Sequence, residues 1–254
     1  MKNLNSYILK LNDALQEKLF FIEKIDWYKY DVIIDFGCAT GTLLKAVQDK
    51  VKYNGISFVG YDVNPDMISI AKQNNPNITF TDDWTLIQRF VTKASRPLVI
   101  FSSVLHEISE SNDEAWNNIQ WIMKACHTVV IRDMKRPLNN EPIDTKTRKR
   151  LLSKVAPWQA ELFESKWGPI RNKEDMYRFF LMNEFVENFE TEVEEDYFSV
   201  PWAELGWLLE DTHDILYERS YTLPYRKQQV KRVFSHVMND ITHKEIIFIR
   251  KNKS

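Results

Sequence analysis

The sequence predicts an α/β fold, a mostly parallel sheet of seven strands with helices on both faces, interrupted late in the chain by a helical insertion. Three observations predict it. Short apolar runs recur at Val32–Phe36, Ile56–Tyr61, Leu98–Phe101 and Val129–Ile131, with a weaker one at Ile78–Phe80, separated by segments of helical length. Their apolarity is continuous rather than alternating, the pattern of strands buried on both faces. Sheet-like sequence returns at Ile215–Leu223 and Glu245–Arg250, two runs expected to pair as an antiparallel edge.

Taken in order, residues 4–25 place Leu4, Ile8, Leu11, Leu15, Leu19, Ile22 and Ile25 three or four apart, one stripe of an amphipathic helix. The five runs that follow make a core over 31–135, after an N-terminal helical segment over 1–30. Past Lys135 the texture changes. Pro137, Pro142 and Pro157 punctuate a basic stretch, and an aromatic-rich region runs from Trp158 to Trp207. Residues 136–212 therefore read as a helical insertion serving as a lid or in acceptor recognition, because so long a connection above a site tends to be one or the other. Within it Met176, Phe179, Phe180, Asn183 and Val186 share a helical face, while 187–196 carry six acidic side chains and read as a solvated face. Residues 213–254 complete the sheet, with a helical pattern from Arg226 to Met238 between the last two strands.

Composition excludes several classes. Hydrophobics at 44% and charged residues at 28% are ordinary for a globular protein. With 34 basic and 36 acidic residues the net charge is -2, so no global field draws the chain to nucleic acid or to an anionic membrane. Two cysteines, Cys38 and Cys126, make no disulfide framework, and no His/Cys group has zinc-ligand spacing, so no metal is expected. No apolar run approaches a membrane span and the first residues lack a signal-peptide core. A cytoplasmic protein is expected, and its oligomeric state is not legible.

Glycine is scarce, six residues where average usage of about 7% would give roughly eighteen. Two of them, Gly37 and Gly41, follow the first strand directly in the run Asp35-Phe36-Gly37-Cys38-Ala39-Thr40-Gly41. A strand, a tight loop and a helix start present unpaired amides to a ligand, and missing side chains let the backbone come close. The spacing is neither the phosphate-cradling G-K-[ST] loop nor the dinucleotide G-x-G-x-x-G. Asp62 ends the second run twenty-one residues beyond Gly41, where a carboxylate can accept both hydroxyls of a ribose. Asn64 and Pro65 then open a helix.

These residues resemble the class I S-adenosylmethionine-dependent methyltransferases over roughly residues 28–135, about half the chain. Asp35, Gly37, Ala39 and Gly41 match that family's glycine-rich first motif, with Ala39 standing where glycine is common, and Asp62 matches its ribose-binding acid. The resemblance implies a Rossmann-like sheet, S-adenosylmethionine as cofactor and S-adenosylhomocysteine as product. It also implies cofactor contacts by Val63, by Asp82 and Asp83 near the adenine, and by Ser102 at the end of the fourth strand. His106 lies just past that strand, where ligands sit in open α/β sheets, and an ordinary imidazole titrates near neutrality, so it is the leading proton acceptor. Glu107 and Asp133 are further catalytic candidates, Asp133 either meeting the acceptor or pairing with Arg132. No N-P-P-[FY] motif and no Pro-Cys nucleophile is present.

The acceptor expected is a small molecule, methylated on O or N. An RNA or nucleotide acceptor is the alternative, carried by the clusters Lys146, Arg148, Lys149, Arg150 and Lys154 and Arg226, Lys227, Lys231 and Arg232. A cofactor-binding subunit without transfer activity is the third reading.

Overall fold

The computed structural model describes residues 15–108, 113–183 and 186–252, without the side chain of Glu187. Seven strands form one sheet: β1 Val32–Phe36, β2 Ser57–Tyr61, β3 Thr79–Thr81, β4 Pro97–Ser102, β5 Thr128–Met134, β6 His213–Tyr221 and β7 His243–Arg250, in the order β3-β2-β1-β4-β5-β7-β6. The first five run parallel, with Ile34 opposite both Val59 and Val99, and Phe101 opposite Ile131. β6 and β7 are antiparallel, as bonds at the two ends of their pairing fix: Lys251 N–H donates to the Thr212 carbonyl (3.0 Å) and Thr242 N–H to that of Tyr221 (3.1 Å). The chain reverses direction across the sheet between β1 and β4, which opens a crevice at their carboxyl ends.

The chain divides into two compact units. One comprises the described parts of residues 8–133, 201–218 and 245–254, and the other those of 134–200 and 219–244. In the first, helices α1 Leu15–Lys18, α2 Thr42–Val51, α3 Pro65–Asn74, α4 Trp84–Lys93 and α5 Asp113–Ala125 accompany the parallel strands. Asn64 caps α3 by accepting from Asp66 and Met67 N–H, with Pro65 at the first helical position as the sequence suggests. One sheet face buries Ile33, Phe58, Leu98, Ile100 and Val130 with Leu44 and Val47 of α2. Period-two alternation turns Phe36, Tyr61 and Phe101 to the other face, where Trp84 packs edge-on to Tyr61 (5.8 Å) and Trp121 (5.8 Å).

The N-terminal stripe departs from expectation. Residues 4–14 lie outside the described set, α1 stops at Lys18, and a single 3-10 turn, Ile22–Lys24, follows. Four bulky apolar residues in succession, Leu19 to Ile22, exceed what one helical face can bury. The chain leaves the helical period and sets Leu19, Phe21 and Ile25 into the core.

The second unit contains α6 Thr145–Leu152, α7 Pro157–Trp167, α8 Lys173–Met182, α9 Phe189–Glu192 and α11 Pro224–Phe234, while the intervening α10 Trp202–Leu209 belongs to the first. Every residue from Met176 to Met182 is buried, so α8 is the central helix, and Phe179 and Phe180 meet Phe234 of α11 at 5.8 and 4.7 Å. Val186 does not share that face. It lies past the helix end and is exposed. The acidic segment is not simply solvated either: Phe189, Glu192 and Val193 are buried, Tyr197 donates to Glu192, and Glu194 pairs with Lys166. Among the described residues, no helix is long and apolar enough to cross a membrane.

Candidate active site

The loop between β1 and α2 is pinned to the neighbouring strand, because the amides of Gly37 and Cys38 both donate to the Tyr61 carbonyl at 2.8 and 2.9 Å. Gly37 and Gly41 have φ +77°, and a Cβ on either would stand 2.4 Å from Val104 or 2.5 Å from the Phe80 ring. The sequence suggested that these glycines admit a ligand; the structure shows that they first admit Val104 and Phe80. Ala39 adopts φ +44° between them, in a region that favours glycine. Gly41 is the N-cap of α2 and supplies no side-chain acceptor, so the first-turn amides have no cap.

Asp62 reaches back to this loop. Its Oδ2 accepts from Ala39 N–H (2.8 Å) and its Oδ1 from Asn64 N–H (2.9 Å), which holds loop and strand tip together and leaves lone pairs on a half-exposed carboxylate. Val63 beside it is exposed. Asp82 is exposed, and Asp83 is the cap of α4, accepting from Thr85 N–H at 2.8 Å. Ser102 ends β4 with its Oγ buried and unbonded, and Asp35 Oδ2 is in the same condition. Dehydration and the nearby Asp62 push the Asp35 carboxyl up to about 7, against the pull of Lys18. An incoming cationic group would relieve that penalty.

His106 and Asp133 come together as the sequence did not specify. His106 Nδ1 lies 2.6 Å from Asp133 Oδ1, both side chains almost wholly buried. The other oxygen, Oδ2, accepts from Val104 N–H (3.1 Å) and Leu105 N–H (2.8 Å), so the carboxylate is fixed by the 3-10 turn Leu105–Glu107 that carries the histidine. A carboxylate only accepts, which makes Nδ1 the protonated nitrogen and Nε2 the basic one. The Arg132 guanidinium donates to Ser103 Oγ at 3.0 Å, and Ser103 itself is held at φ +59°. Water reaches Glu107, yet protein surrounds it on most sides, and that dehydration raises its carboxyl despite His106 nearby.

Sequence reasoning missed Lys18. The end of α1 sets its ammonium in the field of Asp35, Glu107 and Asp133, and dehydration, with Arg132 adding to it, lowers it to about 8. A lysine on the polar side of an amphipathic stripe gives no signal of this. Lys18 apart, the carboxylates of Asp35, Asp62, Glu107 and Asp133 make the crevice acidic, which suits a ligand bearing an ammonium and a sulfonium.

A protein-family model described as a methyltransferase domain matches residues 34–129, the stretch from β1 into β5. That stretch is a methyltransferase domain, which supports a class I S-adenosylmethionine-dependent methyltransferase. Among solved structures, the chain is similar to the plantazolicin methyltransferase BpumL, crystallised with a monoazolic desmethylPZN analog and SAH. The TM-score is 0.51 at 12% identity, over 97% of this chain and 89% of that one. It is also similar to the methyltransferase domain of bacterial CtHen1-C, at TM-score 0.51 and 10% identity, over 93% and 97% of the two chains. Likeness at such identity concerns the fold. No curated protein matches the chain in sequence.

Proposed function

We propose that this methyltransferase carries a methyl group from S-adenosylmethionine to an O or N atom of a small-molecule acceptor, with His106 as proton acceptor and S-adenosylhomocysteine as product. The observation that carries the reading is the buried His106–Asp133 pair at 2.6 Å, placed just beyond β4. The cofactor supplies an already activated methyl group, so the protein's task is to align an acceptor and take its proton. His106 Nε2 takes that proton, and Asp133 stabilises the imidazolium that results. Asp35 offers the orphaned oxygen to the cofactor's ammonium, the loop Gly37, Ala39 and Gly41 with the start of α2 holds the amino-acid part, and Asp62 holds the ribose. Val63, Asp82 and Asp83 border the adenine and Ser102 lines the floor.

The test is transfer of labelled methyl from S-adenosylmethionine into a cell extract separated by size. Label in the low-molecular-weight fraction, lost with His106→Ala, is the expected result. Label confined to RNA supports the nucleotide reading instead, and cofactor binding with no transfer at all makes the chain a silent subunit.

A further inference from the structure

Two groups stand out among the basic residues of the second unit. Arg136, Arg148, Lys166, Lys173 and Arg178 each meet a carboxylate, Glu174, Glu164, Glu194, Glu141 and Asp196 respectively. By contrast, Lys146, Lys149, Arg150 and Lys154 around α6 and Lys227, Lys231 and Arg232 on α11 are exposed and form no ion pair among the described residues. The two sets adjoin where Arg150 Nη1 donates to the Ser235 carbonyl at 3.0 Å, just past the end of α11. Lys146 and Arg150, and Lys227 and Lys231, repeat at i,i+4, where like charges oppose the helix.

We propose that this α6–α11 face binds the phosphodiester backbone of a nucleic-acid strand. One phosphate would occupy two or three cations, and six on two helices, with Lys154 just past the end of α6, match a row of phosphates. A bilayer fits less well, because α11 turns Val230 and Phe234 into the core of its own unit and exposes Val233 but no aromatic or leucine side chain to insert. In the acidic segment Glu192 is buried, Asp196 lies against Arg178 and Glu194 pairs with Lys166. His236 provides a built-in reporter: its ring lies tilted against Phe180 (5.6 Å), and burial, Arg150 and Lys173 hold its imidazole low against the pull of Asp240. A bound phosphate would raise it. The proposal is independent of the methyl-transfer reading, since binding at this face needs no cofactor.

The test is fluorescence anisotropy of the full chain with a labelled 20-nucleotide single-stranded RNA, without cofactor. Four or five phosphate contacts predict a loss of about 50- to 130-fold in affinity between 50 and 200 mM salt, from a slope of about −0.7 per contact. Lys146→Glu/Lys149→Glu and Lys227→Glu/Lys231→Glu should each weaken binding at least tenfold with an unchanged melting temperature, Lys93→Glu on α4 should not, and the His236 midpoint should rise with RNA. The proposal is overturned by absent or salt-independent binding, by reversal variants that bind like the parent, by an unmoved His236, or by equal or tighter binding to phosphatidylserine vesicles.

Discussion

Replacing Asp133 by asparagine isolates what its carboxylate does for His106. The two side chains are nearly isosteric, and the remaining oxygen can still accept from Val104 and Leu105 N–H, now 3.1 and 2.8 Å away. The amide nitrogen then faces His106 Nδ1 across the present 2.6 Å contact and donates to it. That inverts the tautomer, placing the proton on Nε2, so the imidazole no longer accepts one there. General-base catalysis contributes about 10² to 10⁴, and a misassigned tautomer removes most of it. Stability should fall by about 1.5–3 kcal/mol, the worth of one hydrogen bond to a charged group. Asp133→Ala leaves two buried amides and the ring without an acceptor and should cost more. The assay is single-turnover methyl transfer with saturating cofactor, alongside calorimetric binding of S-adenosylhomocysteine and a thermal melt. A folded Asp133→Asn protein that transfers within threefold of the parent rate refutes the reasoning, as does one that loses cofactor binding in step with rate.

Other consequences are as direct. His106→Ala should slow transfer by about 100-fold or more at unchanged cofactor affinity; loss of binding and stability together would make the residue structural. Asp35, raised to about 7, is stabilising when protonated, so the unliganded protein should lose stability as pH rises from about 4 to 7. A cationic cofactor needs the ionised form, so affinity should fall by up to about tenfold per pH unit below 7, with proton release that calorimetry in two buffers detects. Gly41→Ala combines φ +77° with a Cβ 2.5 Å from Phe80 and should destabilise by about 2–3 kcal/mol in a denaturant melt, while an unchanged midpoint would deny the close approach. Burial and Arg96, whose guanidinium lies 2.6 Å from His127 Nε2, hold His127 at about 4, so its contribution to stability is lost as pH falls from about 6.5 toward 4. Nuclear magnetic resonance should find that midpoint and find it raised in Arg96→Ala.

The parallel strands were legible because burial on both sides leaves Val32–Phe36 and Leu98–Phe101 with no polar alternation. The loop was legible because a chain poor in glycine places Gly37 and Gly41 beside a strand end. Their reason was not, since it lies in Val104 and Phe80, residues distant in sequence that fill the space. The His106–Asp133 pair escaped the reading for a like cause. Adjacency of β4 and β5, with Ser102 opposite Arg132, is a property of strand order, and one polar residue past the end of β4 and another near the end of β5 were its only trace. Lys18 left less, for one lysine on a helix is ordinary until its neighbours are carboxylates. The N-terminal stripe misled because Leu19 to Ile22 follow helical spacing while packing requires them to leave it.

The central claim is that the crevice beside Asp35, Gly41 and Asp62 holds S-adenosylmethionine, and a calorimetric titration with S-adenosylhomocysteine tests it most directly. The account predicts one site per chain, affinity reduced by about 1 to 3 kcal/mol in Asp62→Ala, which removes a ribose acceptor, and a larger loss in Asp35→Ala. Neither heat nor thermal shift with S-adenosylhomocysteine or S-adenosylmethionine, or binding that both variants leave untouched, would contradict it.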